Sequence, residues 1–223
     1  MKTGDTQNKP EDWPAWIRHQ LIRRGIRDER VLTVFAKTPR SRFVPAGLRV
    51  LGNEDAPIPI GGQQTVSQPY IIALSLQALQ LTKSERVLDV GTGSGFQAAL
   101  LSQLAAEVHT IEIRSRLHSA ARIALERFGA DNIHLHFGDG SLGLPEYAPY
   151  DAIVVGSRAS KVPASLTRQL AVGGRLVIPV GEEESQNLLL IEKHADNQLT
   201  RKIIERVRFV PLMGIDGSGR VPD

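Results

Sequence analysis

Up to about residue 82 the apolar positions recur at helical spacing. Beyond it they come as short runs of four to six, each followed by a helical stretch. Pro14 to Arg24 reads as a helix with Trp16, Ile17 and Leu21 on its apolar side, beside Trp13, and with Gly25 as its stop. Asp28 is placed to cap a second helix that buries Val31, Leu32 and Phe35 and ends at Pro39. Residues 46–68 have no period and are broken by Pro57, Pro59, Gly61 and Gly62, so they read as a long loop. From Pro69 a third helix buries Ile72, Leu76 and Leu79.

The second part alternates. Strands are expected at 86–91, 107–112, 132–137, 151–156 and 175–180, with two more near 186–193 and 200–210. Helices are expected at 96–106, 117–128 and 163–170, and Gly173-Gly174 as a turn. Repeated βαβ units make a doubly wound, mostly parallel sheet covered on both faces. The expected fold is therefore α/β, with seven strands and an N-terminal helical extension. It is read as one domain over 1–223: helices and loop in 1–82, core in 83–213, tail in 214–223. Residues 1–12 are polar and expected to be loosely attached.

The charges change this picture little. Twenty-seven Lys and Arg against 24 Asp and Glu give +3, mixed along the chain, with no basic block to track a nucleic acid. There is no cysteine, which removes disulfides, thiol nucleophiles and thiolate-bound zinc. No run is long enough to span a membrane, and the first residues lack a signal-peptide core. A cytoplasmic monomer is the expectation. His134 and His136 share a strand face, but two histidines without a third ligand give no metal site.

Chemistry is expected on the rim formed by the strand C-termini, where ligands of doubly wound sheets bind. Gly91, Gly93 and Gly95 follow the first core strand at alternate positions, with Thr92 and Ser94 between them. Glycine accepts positive φ and lets a ligand approach the backbone, and the following helix start offers free N–H groups. A dinucleotide fingerprint needs its third glycine one place later, where Phe96 stands, so a nicotinamide oxidoreductase is disfavoured. Asp89 ends the first strand. Glu112 ends the second, either as acceptor for ribose hydroxyls or as a solvated strand end. Asp139, between Gly138 and Gly140, serves either an adenine amino group or an Asx-turn.

Arg42-Phe43-Val44-Pro45, the stretch Pro59-Ile60-Gly61 to Thr65-Val66-Ser67-Gln68-Pro69-Tyr70, Val87 to Gln97, Gly138-Asp139-Gly140 and Arg208 to Leu212 together resemble the protein-L-isoaspartate (D-aspartate) O-methyltransferases, over residues 17–213. The resemblance implies a Rossmann-like methyltransferase sheet. It also implies methyl transfer from S-adenosylmethionine, leaving S-adenosylhomocysteine, to isoaspartyl or D-aspartyl carboxyls of aged proteins and peptides. The ester then closes to a succinimide, which starts repair. By the same resemblance Asp89, Gly91, Thr92, Gly93, Ser94, Gly95, Gln97, Glu112, Asp139 and Gly140 hold the cofactor. Ser67 is the active-site hydroxyl with Thr65 beside it, and Val66, Val210, Pro211 and Leu212 cover the substrate. Ser67 is equally placed to cap the third helix.

Two departures stand out. Gly62-Gln63 reverses the family's glutamine–glycine order, so Gln63 is strained if that position has positive φ. Ser157-Arg158 replaces small residues after the fourth core strand. Arg158 is expected either to meet the substrate carboxylate or to face solvent. These departures keep two alternatives open: a methyltransferase for another acceptor, and a protein that binds the cofactor without turnover.

Overall fold

The computed structural model describes residues 13–217. The expected looseness of residues 1–12, and the tail beyond 217, lie outside the described residues. Seven strands form one sheet in the order β5-β4-β3-β6-β7-β8-β9. They are β3 (Arg86–Val90), β4 (Glu107–Glu112), β5 (Ile133–Phe137), β6 (Tyr150–Val155), β7 (Leu170–Glu182), β8 (Ser185–Lys193) and β9 (Leu199–Val207). β3 to β7 are parallel neighbours, whereas β8 runs antiparallel to both β7 and β9. The chain winds outward from β3 one way through β4 and β5, then returns to β6 on the other side. The switch point therefore lies between β3 and β6.

Side chains alternate across β3. Val87 joins a core with the N-terminal helices, whereas Leu88 and Val90 join a second core on the opposite face. The helices α1 (Ala15–Gln20), α2 (Glu29–Lys37), α3 (Pro69–Leu79), α4 (Phe96–Leu101), α5 (Ser115–Phe128) and α6 (Ala164–Arg168) cover the two faces. Asp28 caps α2 through the Arg30 amide, as expected. The N-terminal extension reaches the glycine turn through aromatic contacts. Phe35 meets Phe96 edge-on at 5.9 Å, and Phe43 lies 5.6 Å from the same ring. Phe96 opens α4, so this cluster buttresses the helix that follows the turn.

Several boundaries differ from expectation. The first helix stops at Gln20 and continues as a 3-10 turn, Ile22–Arg24, before Gly25 at φ 99°. The helix expected over 96–106 ends at Leu101, because Ala106 bonds Glu85 instead and the chain peels into β4. Gly173-Gly174 lies within β7, not before it. A Cβ on Gly174 would stand 2.8 Å from the Ala171 carbonyl, so glycine is what allows this irregular stretch. β9 ends at Val207, and residues 208–212 leave the sheet.

The loop expected at 46–68 is structured. It contains a 3-10 helix, Ala46–Asn53, and a hairpin of β1 (Ile58–Gly61) and β2 (Gln64–Val66). Its two-residue turn, Gly62-Gln63, has φ 58° at both positions, the sign a primed hairpin turn requires. Residues 214–217 do not form a free tail. Ile215 donates to Asp139 Oδ2, Asp216 donates to Ser141 Oγ, and Ser165 Oγ donates to Asp216.

Candidate active site

Two cavities meet above the switch point. The first is a narrow cleft of about 60 Å³ bounded by Gly91, Gly93, Glu112, Arg114, Gly140, Gly156 and the strap Val210–Met213. The second, about 450 Å³, is bounded by Thr65, Ser67, Gln68, Gly156, Arg206, Arg208 and Val210. Thr65, Gly156 and Val210 line both, so the cavities are neighbours across these residues.

The cleft is built by the β3–α4 turn. Gly91, Gly93 and Gly95 all have positive φ, at 91°, 56° and 86°. At Gly91 an added Cβ would stand at ordinary contact distance, 3.9 Å, from Ser157 Oγ, so it is the positive φ that calls for glycine there, and its backbone lines the cleft without a side chain. Glu112 forms the opposite wall and is 5% exposed. Its Oε2 accepts the Gly93 amide at 2.8 Å and its Oε1 accepts the Arg114 amide at 2.9 Å. Gly140 closes the floor, where a Cβ would meet Val90 at 2.8 Å.

The remaining residues expected at the cofactor do not line this cleft. Asp89 is fully buried and does not reach the cleft. Gln97 Nε2 donates to its Oδ1 at 2.7 Å, Thr110 Oγ1 to its Oδ2 at 2.8 Å, and Thr92 lies 2.7 Å from the Thr110 hydroxyl. Burial raises the Asp89 pKa to about 6 against the pull of those hydrogen bonds. Asp89, Thr92 and Gln97 therefore brace the turn from inside. Gly95 is favoured by its φ of 86° and sits close to Leu125, which would have to give way to a Cβ 3.1 Å off. Ser94 lines a further cavity of about 600 Å³ on the α5 side, together with Phe43 and Arg127, which adjoins the cleft across Gly93 and Leu117. The Asp139 carboxylate is held by the backbone. It accepts the Ser141 amide and hydroxyl on Oδ1 and the Ile215 amide on Oδ2, so its Asx-turn reading is the one realised.

The hydroxyl segment is positioned by residues that the sequence reading did not single out. Arg40 is 3% exposed, and it donates to the carbonyls of Ser67 at 3.1 Å and Ala56 at 2.8 Å. Burial lowers its pKa to about 10, leaving it charged at neutral pH. Asp55 accepts the Tyr70 amide at 3.0 Å and Gln68 Nε2 at 2.7 Å, so it caps α3 and frees Ser67 from that role. Val66 is buried in the core and lines neither cavity.

Arg158 corrects an expectation. Its guanidinium is turned toward the Gly181 carbonyl, 3.4 Å away, and it lines neither cavity. Its backbone holds the strap instead: the Arg158 amide donates to Val210 and the Leu212 amide donates to Arg158. Gln186 fixes the same strap by accepting the Phe209 amide at 2.7 Å. The cations that border the larger cavity are Arg206 and Arg208, both exposed.

A mostly parallel sheet wound about this switch point, with a glycine-lined cleft facing an acidic strand end, is a Rossmann-like architecture, and the family match makes it that of a methyltransferase. The chain belongs to the protein-L-isoaspartate(D-aspartate) O-methyltransferase family, whose model matches residues 15–217. It is 52% identical to a protein-L-isoaspartate O-methyltransferase of Roseiflexus castenholzii over 87% of this chain and 88% of that one. It is 50% identical to protein-L-isoaspartate O-methyltransferase 2 of Marinobacter nauticus over 96% and 98%. A solved protein-L-isoaspartate O-methyltransferase superposes with a TM-score of 0.75 at 30% identity, over 85% of this chain and 62% of that one. A Plasmodium falciparum crystal structure given the same enzyme name, in complex with S-adenosyl-L-homocysteine, superposes with a TM-score of 0.77 at 26% identity, over 92% and 99%.

Proposed function

We propose that this chain methylates the free carboxyl of isoaspartyl and D-aspartyl residues in damaged proteins, using S-adenosylmethionine, and so begins their repair. The observation that carries the reading is the junction of the two cavities at Thr65, Gly156 and Val210. One cavity offers a carboxylate and a glycine-lined backbone, as a nucleoside requires. The other offers hydroxyls and arginines, as a carboxylate requires.

The donor set fits the cofactor. The Glu112 carboxylate can accept ribose hydroxyls, and Gly91 and Gly93 present backbone with no side chain to the cleft. When bound, S-adenosylmethionine supplies a methyl group activated by its sulfonium charge. The acceptor carboxylate is already ionised at neutral pH, so no general base is needed. The work left to the protein is alignment and exclusion of water. Ser67 and Thr65 offer neutral O–H donors on the acceptor wall, held there by Arg40 and Asp55. The strap from Val210 to Leu212 covers the junction, and a backbone-rich wall accepts varied peptide sequences. Among the described residues no helix is long and apolar enough to cross a membrane. The same reading has the chain act as a cytoplasmic monomer on protein and peptide, with no nucleic-acid partner, supported by its mixed charge.

The test is transfer of labelled methyl from S-adenosylmethionine to an isoaspartyl peptide and to its normal aspartyl twin. Label on the isoaspartyl peptide alone is expected. Label on neither, with cofactor binding intact, would assign the site to another acceptor.

A further inference from the structure

Away from the cleft, the β4–β5 register assembles a cluster that one strand alone does not reveal. His109 pairs directly with His134, and Glu107 precedes His109 by two positions on the same face. Glu107 Oε1 lies 3.2 Å from His109 Nε2 and 3.5 Å from His134 Nε2, and the three donor atoms all lie within 4.8 Å of one another. Donors bound to a tetrahedral ion at about 2.0–2.1 Å stand roughly 3.3–3.4 Å apart. Two of the three edges already have that length. The third closes by rotation of the His134 ring, which is 47% exposed on an edge strand.

A second observation is the burial of this donor atom. His109 is 2% exposed, and its buried Nε2 faces Glu107 Oε1. Its Nδ1 lies 3.1 Å from His136 Nε2. With Nδ1–H donating to His136, Nε2 turns its lone pair toward the Glu107 carboxylate, the tautomer in which a cation would bridge the two; in the other tautomer Nε2–H donates to Glu107. The outer partners are also in place. His136 sets the His109 ring, and Arg86 Nε holds the other Glu107 oxygen at 2.6 Å.

We propose that Glu107, His109 and His134 bind one divalent transition-metal ion of the zinc class, with solvent as fourth ligand, and that the ion ties edge strand β5 to β4. Two imidazoles and a carboxylate suit zinc and its neighbours better than magnesium or calcium. Glu107 and Glu112 are five residues apart on β4, roughly 16 Å at strand rise, so the ion is structural and takes no part in methyl transfer.

The experiment is calorimetric titration of Zn²⁺ into the full, untagged chain after chelator treatment, with a thermal melt alongside. One ion per chain is expected, with a raised unfolding midpoint. Affinity should fall about 100-fold in His134→Ala, an exposed position whose loss leaves the core intact. Arg86→Gln should cost about tenfold, the low end of outer-partner effects. His194→Ala, at an exposed histidine elsewhere, should bind as the parent does. Absence of binding by the parent chain would overturn the proposal, as would equal binding by parent and His134→Ala, and the cluster would then be a hydrogen-bonded group only.

Discussion

The Gly93 amide donates to the Glu112 carboxylate at 2.8 Å, joining the glycine turn of β3 to the acidic end of β4. Each therefore sets the other's position, and the carboxylate is aimed before any ligand arrives. Hydrogen bonds to a charged acceptor contribute about 1.5–3 kcal/mol. Glu112→Gln should weaken S-adenosylmethionine binding by roughly tenfold to a hundredfold. Calorimetric titration of the cofactor checks this. Unchanged affinity would remove Glu112 from the ribose role.

The cleft of about 60 Å³ is far below the roughly 300 Å³ at which small-ligand sites begin. The strap Val210–Met213 forms its roof and hangs on few bonds, chiefly to Arg158 and Gln186. Cofactor entry should lift it and a ternary complex should reseal it. Amide exchange over residues 208–213 is expected to be fast in the free chain and to slow when S-adenosylhomocysteine and peptide are both present. Equal exchange in the two states would mean that the strap is not the gate.

Burial of Asp89 makes stability depend on pH in an unusual direction. Its folded pKa of about 6 lies above the ordinary 3.8, so between those values the native state binds more protons than the unfolded chain. Stability from this group is highest below the ordinary value and falls as pH rises through the window, by about 3 kcal/mol in all. Asp89→Asn should flatten that slope, since the Thr110 hydroxyl can rotate to accept from the amide and donate to Thr92. Urea denaturation of parent and variant at about pH 4 and pH 7 measures the difference. Parallel slopes in the two proteins would contradict it.

The parts legible in the sequence are those fixed by local pattern. The apolar run Val87, Leu88, Val90 with glycines at 91, 93 and 95 marked β3, its turn and the start of α4. The alternating runs marked all seven strands. The hairpin at 58–66 was not legible, because its register rests on two left-handed turn residues and on clamps from Arg40 and Asp55. Side-chain direction was the other blind spot. Asp89, Asp139 and Arg158 are rim residues by position, yet each is claimed by partners distant in sequence: Thr110, Ile215 and Gly181. The histidine cluster escaped for the same reason, since its third member comes from the neighbouring strand.

Gln63 has φ 58°, in a region that costs a non-glycine residue about 1–2 kcal/mol. Glycine removes that cost but gives back about 0.5–1 kcal/mol through the freedom of the unfolded chain. Gln63→Gly should therefore stabilise the fold by about 0.5–1 kcal/mol, read as a higher unfolding midpoint. A lower midpoint would mean that the glutamine side chain makes a contact worth more than its strain.

Arg206 and Arg208 border the cavity proposed for the acceptor, whereas Arg158 does not. Both are exposed, so each is expected to contribute only about 0.2–1 kcal/mol, and their effect is screened by salt. The double variant Arg206→Gln/Arg208→Gln should raise the KM for an isoaspartyl peptide by about threefold to tenfold at low salt, with kcat nearly kept. Added salt should raise the parent's KM toward that of the variant. Arg158→Gln keeps the backbone bonds to the strap and removes the buried guanidinium's contact with Gly181, so it should lower the unfolding midpoint while KM loses none of its salt dependence. Steady-state kinetics at two ionic strengths, with a melt of each protein, separate the two roles. A salt-dependent rise in KM for Arg158→Gln alone would return the carboxylate contact to that residue, since only a charge facing the acceptor site is screened in this way.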